Sequence, residues 1–226
     1  HRNHRASIKF MRIGTKKVQG RGRPPTYDRN GAARAIRDTF WRRGFAATSL
    51  DELAAATGMG RPSLYGAFGD KRAMYLGALE RFAEEMRAAA SASLAAPRLC
   101  EALQGFYTGA IATYTAGPDG ARGCLVLCTA AAEAAGDAEV RAALAQTIAG
   151  LDAAFVARFE QGREDGELAR DAEPRLLGRL ASCVLQSIAL RARAGASPDE
   201  LRGVAEEFVR SIATTVAPAP IASPAR

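Results

Sequence analysis

Apolar side chains return every three or four positions through most of this 226-residue chain, and turn residues break the rhythm at intervals. Residues three and four apart share one helical face, so the pattern predicts amphipathic helices. After Tyr27 and Asp28, the positions Ala32, Ala33, Ile36, Phe40 and Trp41 keep this spacing until "RRGF", where Gly44 stops the helix. In "TSLDELAAATG", Ser49 and Glu52 form a capping box, Leu50, Leu53 and Ala54 supply an inner face, and Gly58 closes the helix. The next helix starts at Gly60 or Arg61, tolerates Pro62 in its first turn, and ends at Gly69. Asp70 then caps a longer helix that carries Lys71 in its first turn.

Beyond this point the pattern predicts helices over 70–94, 98–115, 123–135, 138–165, 174–194 and 198–214. Pro97, "AGPDGARG", the pair at 136–137, "DAEP" and "AGASP" separate them. The fold class is therefore all-α. Two short helices joined by a glycine-containing turn, with one helix in front and a longer one behind, make a helix-turn-helix unit. The expected organisation is a basic disordered tail over 1–20, a three-helix domain over 21–75, a helical body over 76–216, and a disordered tail over 217–226.

Composition agrees with helices: the chain is 48% hydrophobic, and Ala and Leu dominate it. Charge adds more. The formal net charge is +7, and residues 1–30 hold nine Lys and Arg against Asp28 alone, whereas the remainder is nearly neutral. A basic arm on a neutral body fits a polyanion partner, nucleic acid or an anionic surface; a solubilising tail is the plainer alternative. Both readings stay open for Arg21 and Arg23.

No apolar run approaches the roughly 20 residues of a membrane span, since "CLVLCTAAA" stops at Glu133. The N-terminus lacks an apolar signal-peptide core. The expectation is a cytoplasmic protein, with no membrane partner and with Cys100, Cys124, Cys128 and Cys183 reduced. Both histidines, His1 and His4, fall in the tail, and no phosphate-binding loop or Cys-x-x-Cys pair occurs. This argues against an enzyme and implies neither metal nor cofactor.

The stretch "GMGRPSLYGAFGDK", residues 58–71, departs from the Ala-rich surroundings with four glycines, a proline and two aromatics. Leu64 and Phe68 point inward. Arg61 and Tyr65 share the outward face with Ser63, and Gly66 leaves that face open to close approach. Such a helix can enter a DNA major groove, where Arg pairs with guanine and hydroxyls reach phosphates or base edges. An ordinary helical hairpin with core aromatics is the bland alternative, but it needs neither the basic arm nor the outward polar set.

From Arg21 to about Leu79 the chain resembles the DNA-binding domain of TetR-type transcriptional regulators. The resemblance is carried by "RGRPPTYDR" and "FWRRGFAATSLDELAAATGMGRPSLYGAFGDKRAMYLGAL". It departs from the commonest form at "GDK" and at Gly66. It implies that Thr48 and Ser49 touch the DNA backbone, that Arg61, Pro62, Ser63 and Tyr65 face the groove, and that Lys71 binds phosphate. Arg21 and Arg23 resemble a minor-groove arm. The resemblance further implies a homodimeric repressor of a palindromic operator in double-stranded DNA, released by a small-molecule effector in the body.

Two stripes suit the dimer. One carries Leu177, Leu180 and Val184, with Gly178, Ala181 and Ser182 small enough for close approach; the other carries Leu201, Val204, Phe208 and Ile212. Monomer core is the alternative for both. Residues expected to line an effector pocket are Phe106, Tyr107, Tyr114, Cys124, Cys128, Phe155, Phe159 and Gln186. The helix glycines Gly105 and Gly109 leave space either for a ligand or for tight packing. Cys124 and Cys128, four apart, read first as small buried apolar groups. The alternative is a redox, electrophile or soft-metal trigger for the same DNA function.

Overall fold

A computed structural model of the chain describes residues 28–117 and 120–213. The expectations for both tails, for Arg21 and Arg23, and for residues 214–216 lie outside the described residues. Within them, every regular element is helical.

The first three helices are α1 (Arg29–Arg43), α2 (Leu50–Thr57) and α3 (Arg61–Phe68). Asp28 caps α1 by accepting from the Asn30 amide at 3.0 Å. Ser49 and Glu52 form the expected reciprocal box on α2, whose end is turned by Gly58 at φ 66°. Only glycine adopts that conformation without cost, so the turn between α2 and α3 is fixed at this residue. Phe40, Leu53, Leu64 and Tyr75 are fully buried together. Phe40 and Phe45 both pack against the Tyr75 ring, with centroids 5.1 Å away in each case.

The long helix α4 (Lys71–Leu94) runs unbroken past residue 75 into the body, so the three-helix domain and the body share one continuous helix. The body adds α5 (Leu99–Thr115), α6 (Ala131–Glu133), α7 (Ala138–Glu164), α8 (Pro174–Arg193) and α9 (Pro198–Ala213). The predicted helix over 123–135 is not regular. Val126–Ala130 forms a π-helical turn that runs into the single turn of α6. A period of 3.6 cannot reveal such a turn, which is wider by one residue per hydrogen bond.

Helices α5, α7, α8 and α9 enclose the second core. Phe106 and Phe155 meet edge-on at 4.7 Å, and the buried Tyr107 hydroxyl donates to the Ala181 carbonyl at 2.9 Å. Gly178 of α8 lies so close to α7 that a Cβ there would come within 2.6 Å of the Val156 backbone. The small residues of α8 thus serve contact within the protomer.

Contrary to the sequence expectation, α7 is long and apolar enough, by length and composition alone, to cross a bilayer. One side of it buries Phe155 and Phe159 in the core.

Candidate functional site

Helix α3 is held from below and exposed above. Leu64 is fully buried, and Phe68 is half-buried under the Arg29 guanidinium, whose carbon lies 5.7 Å from the ring centre. Arg29 also donates to the Ala67 carbonyl at 3.1 Å, tying the start of α1 to the end of α3. On the opposite side Arg61, Pro62, Ser63, Tyr65 and Gly66 are exposed, with Tyr65 at 42%. The N-cap, Gly60, supplies no side-chain acceptor, so the first amides of α3 lack a side-chain partner from their cap.

Arg61 is not idle. Its Nε donates to Asp51 Oδ1 at 2.9 Å, and its Nη2 donates to the same oxygen. One carboxylate on α2 therefore orients the outward cation of α3. Neither residue type nor spacing signals this pair in the sequence, because it forms between two helices.

Ser49 is engaged in its capping box and exposed. The Thr48 side chain is not available at the surface as expected. It is buried, and its hydroxyl donates to the Gly44 carbonyl at 2.6 Å, which fixes the turn before α2. Lys71 is half-buried, with its ammonium 4.4 Å from the centre of the Phe45 ring.

In the body a cleft of about 810 Å³ opens between α4 and α7. Leu76, Leu79, Phe82 and Met86 of α4 line one wall, and Ala143, Thr147, Gly150 and Ala154 of α7 line the other. Tyr114, Cys124 and Val126 close it from inside. Of the residues expected in a pocket, Tyr114 and Cys124 are therefore present.

The others are elsewhere. Phe106, Tyr107, Phe155 and Phe159 are buried in the core, where Phe155 meets Phe106 edge-on and stacks on Tyr107. Tyr107 reaches only the smaller hollow between α5 and α9. Gln186 bonds Ser182 along α8 at 3.2 Å, and Cys128 turns to the Ala189 carbonyl at 3.5 Å. Gly105 and Gly109 are on the exposed side of α5, away from the cleft. The sequence could not separate these sets, because the aromatics of a core and of a pocket share the same helical spacing.

Burial pushes the Cys124 thiol up to about 12 and raises that of Cys128. Thiols of this kind are poor nucleophiles at neutral pH. Among the described residues no group of three or more His, Cys, Asp or Glu is placed to hold a metal ion.

The cleft and the three-helix domain meet at the end of α1. The Trp41 indole donates to the Gly123 carbonyl at 2.9 Å, and the Arg122 guanidinium lies 4.0 Å from the Trp41 ring centre. The Tyr114 carbonyl accepts from the Arg122 and Gly123 amides at 2.8 and 3.1 Å. Arg193 of α8 donates to the Trp41 carbonyl at 2.7 Å and to the Arg42 carbonyl at 3.1 Å.

The apolar residues expected at a dimer contact divide. Leu201 and Ile212 are buried in the protomer, because α9 packs against α5 and α8 through them. Leu180 is 44% exposed, and Leu177, Val184, Val204 and Phe208 are half-buried. Leu176 and Leu190, outside the expected set, are exposed as well.

Two family models match the chain: "Bacterial regulatory proteins, tetR family" over residues 33–78, and "Tetracyclin repressor-like, C-terminal domain" over 95–208. The HTH-type transcriptional repressor ComR of Escherichia coli (strain K12) is 29% identical over 199 residues, covering 85% of this chain and 92% of the relative. An uncharacterised HTH-type regulator of Bacillus subtilis (strain 168), YezE, is 28% identical over 171 residues, covering 75% and 87%. Among solved structures, a cysteine mutant of the TetR family regulator CifR complexed with 26-base-pair operator DNA superposes with a TM-score of 0.72. It shares 29% identity, over 84% of this chain and all of that one. The reduced form of E. coli NemR, with a TM-score of 0.70 at 19% identity, shares the fold over 85% of this chain and 98% of its own.

Proposed function

This chain belongs to the TetR family of DNA-binding transcriptional regulators, and on that premise we propose that it is a homodimeric repressor whose α3 reads a palindromic operator. The observation that carries the reading is the exposed row of Arg61, Ser63 and Tyr65 on a helix anchored by Leu64. Arg61 meets a guanine edge, Ser63 and Tyr65 reach base edges or phosphate, and Pro62 and the bare backbone at Gly66 permit close approach. Ser49 and the main chain at Thr48 touch phosphate at the start of α2. Lys71 leaves the Phe45 ring for phosphate, and Arg21 and Arg23 extend into the minor groove.

The half-exposed faces of α8 and α9 pair two copies through Leu177, Leu180, Val184, Val204 and Phe208. A two-fold dimer then matches a two-fold operator. An effector in the α4–α7 cleft acts on the head through α4 and the joint at Trp41, provided it binds more tightly to the arrangement that does not fit DNA.

A cysteine-triggered switch is a second reading, favoured only by the position of Cys124 in the cleft wall. The raised thiol of Cys124 speaks against it. Selection of bound duplexes from a random library tests the main reading. The expected product is an inverted repeat with half-sites about one helical turn apart, or a multiple of that. A pool with no shared motif would count against it.

A further inference from the structure

We propose that the α4–α7 cleft takes an apolar monocarboxylate, with the acid met by Arg158 and the tail laid along the cleft. This rests on the effector role given to the cleft above and specifies the chemistry of its occupant.

The shape calls for a long apolar molecule. The α4 wall runs from Leu76 to Leu94, nineteen residues of helix, or about 27 Å end to end at the helical rise. On the facing side Gly150 has no atom within 4 Å of where a Cβ would sit, so the width there is real space rather than a packed seam. The volume of about 810 Å³ lies within the range of small-molecule sites.

The buried charge sits at one end. Glu80, Arg87 and Glu139 also line the cleft, but all three are exposed to solvent. Arg158 also lines the cleft, yet it is only 7% exposed. Its Nη2 donates to the Ala96 and Pro97 carbonyls at 3.3 Å and reaches Glu167 at 3.4 Å. Its Nη1 is buried with no hydrogen-bond partner.

Glu167 does not neutralise this group alone. Its carboxylate accepts the Leu99 amide at 2.9 and 3.0 Å, and it also faces Arg98 at 3.8 Å. Around that single carboxylate stand two guanidinium groups. A buried cation with a free N–H and a local excess of positive charge is completed by an anionic acceptor, and a carboxylate matches the guanidinium fork.

The test uses the full-length protein without DNA, with decanoate and 1-decanol as probes of equal tail length. Trp41, the one tryptophan of the chain, packs edge-on against the cleft residue Phe82 at 4.7 Å, so its fluorescence reports filling of the cleft.

Decanoate is expected to bind at least ~10-fold tighter than decanol, and Arg158→Gln should weaken decanoate about 10- to 100-fold while decanol changes little. Gly150→Leu, which fills the cleft and leaves Arg158 untouched, should abolish both. If Arg158→Gln fails to fold by circular dichroism, the pH series on the wild type decides. Decanoate binding alone should fall as its own carboxylate is protonated.

Equal affinity for acid and alcohol, decanoate binding indifferent to both substitutions, or no binding of either probe overturns the proposal. Operator binding by the same unliganded preparations separates the two levels. If it persists while decanoate fails, only the ligand class is wrong; if it is absent too, the regulator reading falls with it.

Discussion

The indole N–H of Trp41, at the end of α1, donates to the carbonyl of Gly123 across 2.9 Å in the interior of the fold. Gly123 adjoins Cys124, which lines the cleft, and its φ of 67° suits glycine. A side chain at Gly123 would also run into the Ala189 carbonyl and come within 2.8 Å of Cys128 Sγ. A cleft wall, the last turn of α1 and the end of α8 therefore converge on two residues.

Trp41→Phe removes the donor and leaves the Gly123 carbonyl buried without that partner. The expected cost is about 1–3 kcal/mol of unfolding free energy, read from urea melts by circular dichroism. Operator affinity in the absence of effector should hold while the effector response shrinks. An unchanged response would remove the joint from the coupling route.

Asp51→Asn releases Arg61 from its orienting partner and removes one negative charge from the proposed DNA-facing surface. The pair is exposed, so the melting temperature should barely move. Affinity for random duplex should rise severalfold at low salt, and the ratio of specific to random binding should fall. Fluorescence anisotropy against both duplexes checks this.

The first helices and their caps were legible in the chain because local chemistry sets them: the Ser49–Glu52 box and Gly58 turn of α2, and the Asp70 cap of α4. The outward row on α3 followed from four-residue spacing against Leu64. What was not legible depends on which helices meet. Nothing local distinguishes Phe155, which lies in a core, from Phe82, which lies against a cleft. The resemblance assigns Thr48 to the DNA backbone, and nothing local in the sequence shows that its hydroxyl is taken by the Gly44 carbonyl. The Arg61–Asp51 pair and the π-turn at Val126–Ala130 likewise arise from tertiary arrangement.

Leu180→Glu places a charge in the proposed dimer face without touching the protomer core, since Leu180 is 44% exposed. Light scattering should show a shift from dimer to monomer with the helical spectrum intact, and operator affinity should drop. Cys183 is exposed on the same helix. Its alkylation should be slow in the wild type and fast in this variant.

Asp137 both caps α7 and holds Arg72 in a two-pronged pair at 2.5 and 2.8 Å. These bonds, Arg72 foremost, hold its carboxyl far below its ordinary 3.8. A depressed folded value means the stabilisation is complete above the unfolded value and lost as pH falls through the folded one. The melting temperature of Asp137→Asn should therefore lie below wild type by a constant margin from pH 7 to about 5. That margin should narrow as pH falls below 3.8. A margin independent of pH would show that the charge is not what stabilises.

The account stands on α3 as the reading surface, and the direct measurement is affinity for the selected operator in wild type, Arg61→Ala and Tyr65→Ala proteins of equal helicity. It predicts that each substitution weakens operator binding by about 1–3 kcal/mol while binding to random duplex changes much less. Operator affinity unchanged in both variants would contradict it.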